Sequence, residues 1–226
     1  MKSSSVYVSL VTSIIIQLIT GFFEFSTLFV KVPTKFIIIN QLLTLEVIVQ
    51  FIECFFYIYW LYNFNNFVNV TPKRYFDWVL TTPTMLINLI FYLIFLHSRE
   101  NNTTDKLDFF NLFYKNFNTI WTVLILNWLM LLFGYLGEIN LIPITLGVSL
   151  GFVPFLIYYY IIYTKYAVLS NDGFKIYLYF LFFWSLYGIV AVLPYNIKNT
   201  FYNILDLFSK NFFGLFLSYI IITQNY

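Results

Sequence analysis

A lysine in the middle of an apolar stretch is the residue of this sequence with the greatest chemical potential. Lys210 lies within ILDLFSKNFFGLFLSYIII, and Asp206 precedes it by four residues, so both share one face of a helix. A charge at the centre of a bilayer is costly, which makes an intramembrane ionisable residue a functional candidate. Two interpretations follow. Lys210 and Asp206 form a structural ion pair, or the desolvated amine attacks an aldehyde and Asp206 balances the resulting imine.

A second carboxylate is predicted on another helix, in the segment KRYFDWVLTTPTMLINL. Asp77 and Thr81 are four residues apart, and Asn88 follows Asp77 by eleven residues, about three helical turns. These three side chains therefore face one direction at different depths. Arg74 precedes Asp77 by three residues and can balance two carboxylates around one cation.

Polar residues also recur at helical spacing in three otherwise apolar segments. The first carries Ser13, Gln17, Thr20 and Glu24, the second carries Glu46, Gln50 and Glu53, and the last carries Asn203, Asp206 and Lys210. The first two segments contain no basic partner at membrane depth, so their carboxylates must pair, protonate or contact water. A water-filled path bounded by helices 1, 2, 3 and 7 is one solution. The other is that protonated glutamates bond Gln and Ser as interhelical glue.

Composition requires a bilayer around these segments. The chain has 226 residues, of which 61% are hydrophobic and 10% are charged, whereas soluble domains carry about 25% charged residues. At about 20 residues per span, the length predicts an all-α membrane protein, a single seven-helix bundle over residues 1–226. The predicted helices are 5–30, 36–63, 75–97, 109–136, 141–165, 173–194 and 199–223.

Several function classes are excluded by what the sequence contains. A net charge of +2 provides no basic patch for nucleic acid. One histidine and one cysteine supply no metal site or catalytic constellation, so we expect no enzyme and no metal, and Cys54 is predicted to be a small buried hydrophobe. The Lys/Arg balance favours an extracellular N-terminus and a cytoplasmic C-terminus. The loop cations compared were Lys31, Lys35, Arg99, Lys106, Lys165 and Lys175 on one side, and Lys2, Lys73, Arg74 and Lys198 on the other.

Together, RYxDWxxTTP on a third helix, DxxxK on a seventh and FFWSLYGIV on a sixth resemble the microbial (type 1) rhodopsins. The resemblance implies all-trans retinal bound covalently to Lys210 as a protonated Schiff base, with Asp77 and Asp206 as counter-ions. It also implies a retinal pocket that includes Arg74, Trp78, Thr81, Thr82, Met85, Met130, Gly134, Trp184 and Tyr187. Gly188 and Ala191 replace larger residues of the family, so we expect a looser pocket there.

The polar stripes extend the resemblance to the group 1 viral rhodopsins of giant algal viruses, which are light-gated cation channels. By that resemblance Ser13, Glu46, Glu53 and Asn203 form a central constriction, and Gln17, Glu24 and Gln50 continue the ion pathway. Two alternatives stay open. An outward proton pump is disfavoured because Asn88 stands at the donor position and cannot release a proton, and a sensory rhodopsin needs a transducer. The expected partners are the lipid bilayer and cations, and a homo-oligomer, a dimer or larger, is left open.

Overall fold

The regular elements of the chain are helices throughout the part that this computed structural model describes, residues 4–104 and 107–224. The α-helices are α1 (Ser4–Thr27), α2 (Ile37–Tyr62), α3 (Thr71–Glu100), α4 (Phe109–Lys115), α5 (Phe117–Glu138), α6 (Ile144–Lys165), α7 (Asn171–Ala191), α8 (Tyr195–Asp206) and α9 (Phe212–Thr223). A π-helical segment (Leu207–Asn211) joins α8 to α9, and 3-10 turns (Thr34–Phe36 and Ala167–Leu169) precede α2 and α7. Seven spans, with mean hydropathy from 1.4 to 2.0, are long and apolar enough to cross a bilayer. The chain is therefore an integral multi-pass membrane protein.

The predicted seven-helix architecture is confirmed, but several helix boundaries differ. The last span begins at Tyr195, not near residue 199. Helix 3 begins at Thr71, not near residue 75, because Pro72 fits the first turn of a helix. Predicted helix 4 is divided into α4 and α5 at Asn116, so Lys115 ends α4 and does not begin a long span. Lys2 and Lys106, which were counted for orientation, lie outside the described residues.

Successive spans are antiparallel neighbours, and the last span closes the ring. The helix α1 packs on α2 and also on α8 and α9. We call one side of the bundle the N-side; it is the side on which α1, α3, α6 and α8 begin. The opposite side, where α2, α5 and α7 begin, is the C-side. The centre of the bundle lies where α2, α3 and the last span face one another.

Two irregularities position side chains in the interior. Pro83 lies inside α3 and cannot donate a backbone hydrogen bond to Val79. The indole Nε1 of Trp128 on α5 donates to the freed Val79 carbonyl at 3.1 Å, which ties α5 to α3. In the last span the π-helical turn contains Lys210, and π-turns are frequent at functional sites. The Tyr179 hydroxyl donates to the Phe208 carbonyl of that turn at 2.6 Å.

Candidate functional site around Lys210

Lys210 is buried, with an exposed fraction of 2%, and is surrounded by three carboxylates. Its Nζ donates a hydrogen bond to Asp77 Oδ2 at 2.9 Å. The same nitrogen lies 3.4 Å from Glu53 Oε1 and 3.8 Å from Asp206 Oδ1. Three separate spans therefore supply the charges that a buried cation needs. Glu53 was predicted only as part of an ion pathway, and the structure shows it as a third acid next to the lysine.

Asp206 is the most completely hydrogen-bonded of these acids. The hydroxyl of Tyr57 donates to its Oδ2 at 2.5 Å, and the hydroxyl of Tyr187 donates to its Oδ1 at 2.7 Å. Arg74 Nη1 forms a buried ion pair with Oδ2 at 3.3 Å. Both oxygens of Asp206 are thus held by donors from α2, α3 and α7. By contrast, Oδ1 of Asp77 has no hydrogen-bond partner among the described residues.

Arg74 links this cluster to polar groups nearer the N-side. Its Nε donates to Asn199 Oδ1 at 3.1 Å, and its Nη2 donates to Asn203 Oδ1. The guanidinium also lies 4.7 Å from the ring centre of Trp60, within the range of a cation–π contact. Ser13 of α1 donates to the carbonyl of Asn203 at 3.0 Å. The N-side half of the interior therefore holds a fixed cation in a closed hydrogen-bond network.

A second polar cluster lies toward the C-side, where α1, α2 and α9 meet. Gln50 Nε2 donates to Glu24 Oε1 at 2.8 Å, and Asn211 Nδ2 donates to Gln50 Oε1 at 3.1 Å. Asn211 also donates to Thr20 Oγ1 at 2.6 Å. Glu24 packs directly on Gly214, where a Cβ would overlap the carboxylate. The stripe predicted on helix 1 thus lies in the interior, since all four of its residues are buried.

Glu46 lies one turn from Gln50 along α2, on its C-side, and pairs with Asn88. Asn88 Nδ2 donates to Glu46 Oε1 at 2.7 Å and to the Leu42 carbonyl at 3.2 Å. Glu46 is two turns from Glu53 along α2, about 10 Å at 1.5 Å per residue. Asn88, which was predicted to be unable to donate a proton, is therefore hydrogen-bonded to a carboxyl group, that of Glu46.

A cavity lined by Lys210 lies among α3, α5, α6, α7 and the last span. Its walls are mostly apolar and aromatic. The lining residues include the predicted Trp78, Thr82, Met85, Met130, Gly134, Trp184 and Tyr187, together with Tyr75, Leu131, Gly147, Val148, Gly151, Phe152, Phe155, Gly188, Ala191, Tyr202, Asp206 and Ser209. A buried amine with carboxylates at one end and flat rings along an apolar wall fits a flat, conjugated aldehyde-derived ligand such as retinal. Three predicted pocket residues, Arg74, Asp77 and Thr81, do not line this cavity. Asp77 contacts Lys210, Arg74 pairs with Asp206, and Thr81 bonds the Asp77 carbonyl.

The expectation of a looser pocket at Gly188 was wrong. The ring of Phe152 on α6 occupies the space that a larger residue would take, because a Cβ at Gly188 would lie 2.6 Å from its Cζ. A larger residue at position 188 would require the Phe152 ring to move. Ala191 does line the cavity as a small residue.

One prediction about charges needs correction. Lys198 was counted as a loop cation, but it is buried and donates to both carboxylate oxygens of Glu138, at 2.8 and 3.0 Å. The acid Glu53, for which helices 1 and 2 offer no basic partner at membrane depth, is approached by Lys210 of the last span. Cys54, which was predicted to be buried, is only partly buried.

The four residues expected at a central constriction do not form one cluster. Ser13 contacts Asn203, Glu53 contacts Lys210, and Glu46 contacts Asn88. These three contacts follow one another from the N-side toward the C-side, as three levels of one polar interior.

Sequence reasoning missed several polar residues of the site. Tyr57 continues the stripe of α2 four residues beyond Glu53, and Asn199 continues that of the last span four residues before Asn203. Extending the same helical spacing by one turn would have found both. Asn211 follows Lys210 directly, and only the π-helical turn brings its side chain to Gln50. No spacing in the sequence signals that contact.

Comparison with known proteins agrees with this architecture. The family model for bacteriorhodopsin-like proteins matches residues 5–224, and no curated protein matches the sequence. The solved structure of the viral rhodopsin OLPVRII is 27% identical and covers 98% of this chain and 99% of its own, with a TM-score of 0.81.

Two further structures share the fold at lower identity. The blue light-absorbing proteorhodopsin from Med12 is 22% identical over 97% of both chains, with a TM-score of 0.74. The proton pumping rhodopsin AR2 from the marine alga Acetabularia acetabulum is 18% identical over 99% of this chain and 97% of its own, with a TM-score of 0.72. With a family match over nearly its whole length, this chain belongs to the bacteriorhodopsin-like family, the microbial rhodopsins.

Proposed function

We propose that all-trans retinal is bound covalently to Lys210 and that the protein is a light-gated cation channel. The first half of the proposal rests on the buried amine at the end of an aromatic cavity. Trp78 and Trp184 would hold the flat polyene, and Met130 and Gly134 would line its far end. When bound, retinal supplies a light-driven isomerisation that turns the Lys210 nitrogen away from its resting partners.

The residues around Lys210 differ in how readily they can accept its proton. Asp206 carries hydrogen bonds from two tyrosines and an ion pair with Arg74, and all of these stabilise the carboxylate. The carboxylate of Asp77 accepts a hydrogen bond from Lys210 at Oδ2, and its Oδ1 has no hydrogen-bond partner among the described residues. Asp77 is therefore the proton acceptor in this proposal. Asp206 keeps its charge and, with Arg74, holds the N-side network in place.

One observation carries the channel proposal: the interior contains more acids than cations. Within the described residues, Glu24, Glu46, Glu53, Asp77 and Asp206 are buried, against Arg74 and Lys210 as the buried cations of the same region. If all were ionised, three negative charges would be left over. Buried acids without partners must take up protons, water or cations, and acidic pore linings favour cations.

The three contact levels suggest where such a path closes. Arg74 and Asn203 close the N-side level, and Glu53 is held by the charge of Lys210 at the middle level. Transfer of the lysine proton to Asp77 removes the positive charge next to Glu53. Glu53 then gains water or a cation in place of Lys210, and the path opens toward Glu46 and the C-side cluster.

A second candidate function, outward proton pumping, is favoured by the bond between Asn88 and Glu46. Asn88 itself cannot release a proton, but the Glu46 carboxyl lies at the same level and can. In that case Glu46 would reprotonate the Lys210 nitrogen from the C-side after Asp77 has accepted its proton. The pumping activity named for AR2 does not decide the question, because at 18% identity the likeness is one of fold.

The proposal includes a direction and a set of partners. The N-side faces the outside of the cell and the C-side faces the cytoplasm, on the Lys/Arg balance of the loops. The transported partners are cations, and homo-oligomer formation is left to measurement.

Whole-cell voltage clamp with added retinal tests the proposal. A channel gives a photocurrent whose sign reverses with holding potential, and the reversal potential follows an imposed cation gradient. An outward current that never reverses would support the pump and contradict the channel. A visible pigment with a slow photocycle and no current would identify a sensor. No pigment at all would overturn the retinal assignment itself.

A further inference from the structure

The C-side cluster contains one contact that depends on the absence of a side chain. The carboxyl group of Glu24 on α1 lies against the backbone of Gly214 on α9, and a Cβ at Gly214 would overlap its Oε1, Oε2 and Cδ atoms. Both residues are buried, and the exposed fraction of Glu24 is 0%. An acidic side chain therefore fills the space between α1 and α9 at this level.

Hydrogen bonding holds Glu24 in this position from one side only. Gln50 Nε2 donates to Glu24 Oε1 at 2.8 Å, whereas Glu24 Oε2 has no hydrogen-bond partner within residues 4–104 and 107–224. A buried carboxyl oxygen without a partner is costly, so the side chain gains nothing at Oε2 from staying where it is. The position of Glu24 on Gly214 therefore depends on the position of Gln50.

Gln50 is in turn held by the residue next to the central lysine. Asn211 Nδ2 donates to Gln50 Oε1 at 3.1 Å. Asn211 follows Lys210 directly and is the last residue of the π-helical turn, and Gly214 follows Lys210 by four residues, about one helical turn. The contacts from Asn211 through Gln50 and Glu24 thus return to the last span at Gly214. Both ends of this chain of contacts move with the backbone at Lys210.

The neighbouring polar groups suit a cation that passes this level. In the part of the chain that the structure describes, Asn211 Oδ1 and Glu46 Oε2 also have no hydrogen-bond partner, and Glu46 lies one turn from Gln50 along α2. Carboxylate and amide oxygens are ligands that hard cations prefer. A cation that passes Glu24 therefore finds oxygen atoms that are not already engaged.

We propose that Glu24, packed on Gly214, is the C-side gate of the ion path. Movement of the backbone at Lys210 displaces Asn211, Asn211 shifts Gln50, and Glu24 then leaves Gly214 so that cations pass. An acidic side chain suits this place because a carboxylate in an opening favours cations. The inference rests on the proposed channel function and adds to it the pair of residues that closes the C-side.

The decay of the photocurrent after the light is switched off tests the gate. Gly214→Ala places a methyl group where the Glu24 carboxyl group lies, and overpacking of this kind destabilises the closed state, so the decay should slow by about threefold or more. Gly21→Ala is the matched control. Its Cβ would lie 3.5 Å from Gln50 Oε1, an ordinary van der Waals contact, so the decay should be unchanged. The visible absorption of each variant shows whether it has folded.

A double-mutant cycle shows whether the two residues act as one unit. Glu24→Ala adds no atom, so it keeps the test available if Gly214→Ala misfolds, and alone it should also slow the decay. The double variant should be no slower than Glu24→Ala, because both substitutions remove the same contact. Glu24→Gln keeps the shape and an acceptor for Gln50, so it should restore most of the parent decay rate. Independent effects that multiply in the double variant would overturn the pairing, as would parent-like decay in a folded Glu24→Ala variant.

Infrared difference spectra separate a failure of the gate from a failure of the channel. Light-minus-dark spectra of the purified protein with retinal should contain a carboxyl band that is absent in Glu24→Gln, because light changes the surroundings of Glu24. That band together with a photocurrent that never reverses would overturn the gate along with the channel, although Glu24 moves. A reversing photocurrent without the band, and with parent-like decay in Gly214→Ala, would overturn the gate alone.

Discussion

The two halves of the polar interior differ in how their charged groups are paired. Toward the N-side, Arg74 lies among Asp206, Asn199 and Asn203, and both oxygens of Asp206 accept hydrogen bonds. Toward the C-side, Glu24 and Glu46 form no ion pair in the described part of the chain, and each keeps one oxygen without a partner.

This difference assigns different work to the two halves. A buried ion pair with satisfied donors is costly to break and therefore keeps its geometry. Buried acids without cations must take up a proton, water or a cation, because an unpaired buried carboxylate is costly. Lys210 lies at the boundary, where a change in its charge is felt by Asp206 on one side and by Glu46 on the other. In the proposed channel, the N-side half is therefore a fixed frame and the C-side half is the responsive part.

The largest effect is expected from removing the charge of Lys210, which lies between the two halves. Lys210→Ala should abolish the visible pigment and the photocurrent completely, because the cavity loses its amine. The measurement is the absorption spectrum after retinal is added to membranes. Lys175→Ala, at an exposed lysine near the start of α7, is the matched control and should keep full colour. A visible pigment in Lys210→Ala without an added imine-forming amine would contradict the covalent assignment.

The next variants compare a fixed acid with a responsive one. Asp206→Asn removes the partner of Arg74, and breaking a buried ion pair in this way costs about 3–5 kcal/mol. Asp77→Asn removes one charged hydrogen bond while Glu53 stays next to Lys210, so we expect about 1.5–3 kcal/mol. The free energy of unfolding, measured by denaturant titration of the purified protein, gives both values.

Function should rank the same two variants in the opposite order. Asp77→Asn removes the proposed acceptor of the lysine proton, so the photocurrent should fall at least tenfold despite the smaller loss of stability. Equal effects of both substitutions on stability and on current would contradict the different roles proposed for Asp206 and Asp77.

A third prediction concerns the responsive half alone. Glu46→Gln keeps the shape of the side chain and a bond to Asn88, but it removes a charge two turns from Glu53. The photocurrent or its cation selectivity should change about threefold to tenfold, with little change in colour, because Glu46 does not line the cavity at Lys210. Glu100→Gln, at an exposed acid at the end of α3, is the control and should leave the current unchanged. An unchanged photocurrent in Glu46→Gln would mean that Glu46 is packing only.

The sequence was sufficient to predict the fold and most of the centre of the site. Apolar runs separated by short polar breaks allow only a helical bundle in a bilayer, and the spacing of Asp206 and Lys210 already put them on one face. The polar stripes were informative because each departs from an apolar background.

The contacts between helices could not be predicted, since they depend on rotation and depth. Glu53 and Lys210 are far apart in sequence, so nothing local indicates that they are 3.4 Å from each other. The π-helical turn that brings Asn211 to Gln50 has no recognisable residue pattern. Lys198 resembled a loop cation because its partner Glu138 ends a different helix.

The smallest expected effect lies at the outer edge of the responsive half, where Asp108 caps α4. Its carboxylate accepts bonds from the Gln41 side chain of α2 and from the backbone N–H groups of Asn111 and Phe110, and these bonds hold the pKa of Asp108 below its ordinary value. A lowered pKa in the folded state means that the stabilisation is present above about pH 4, the ordinary value of an aspartate, and is lost as the pH falls through the lowered value. Asp108→Ala should therefore reduce the free energy of unfolding by about 1 kcal/mol or less at pH 7, as for other exposed caps. The deficit should shrink in denaturant titrations as the pH is lowered below about 4, because the parent carboxylate then becomes protonated. A larger loss that persists at acidic pH would show that the contact between α4 and α2 supports the C-side half by packing and not by the charge of the cap.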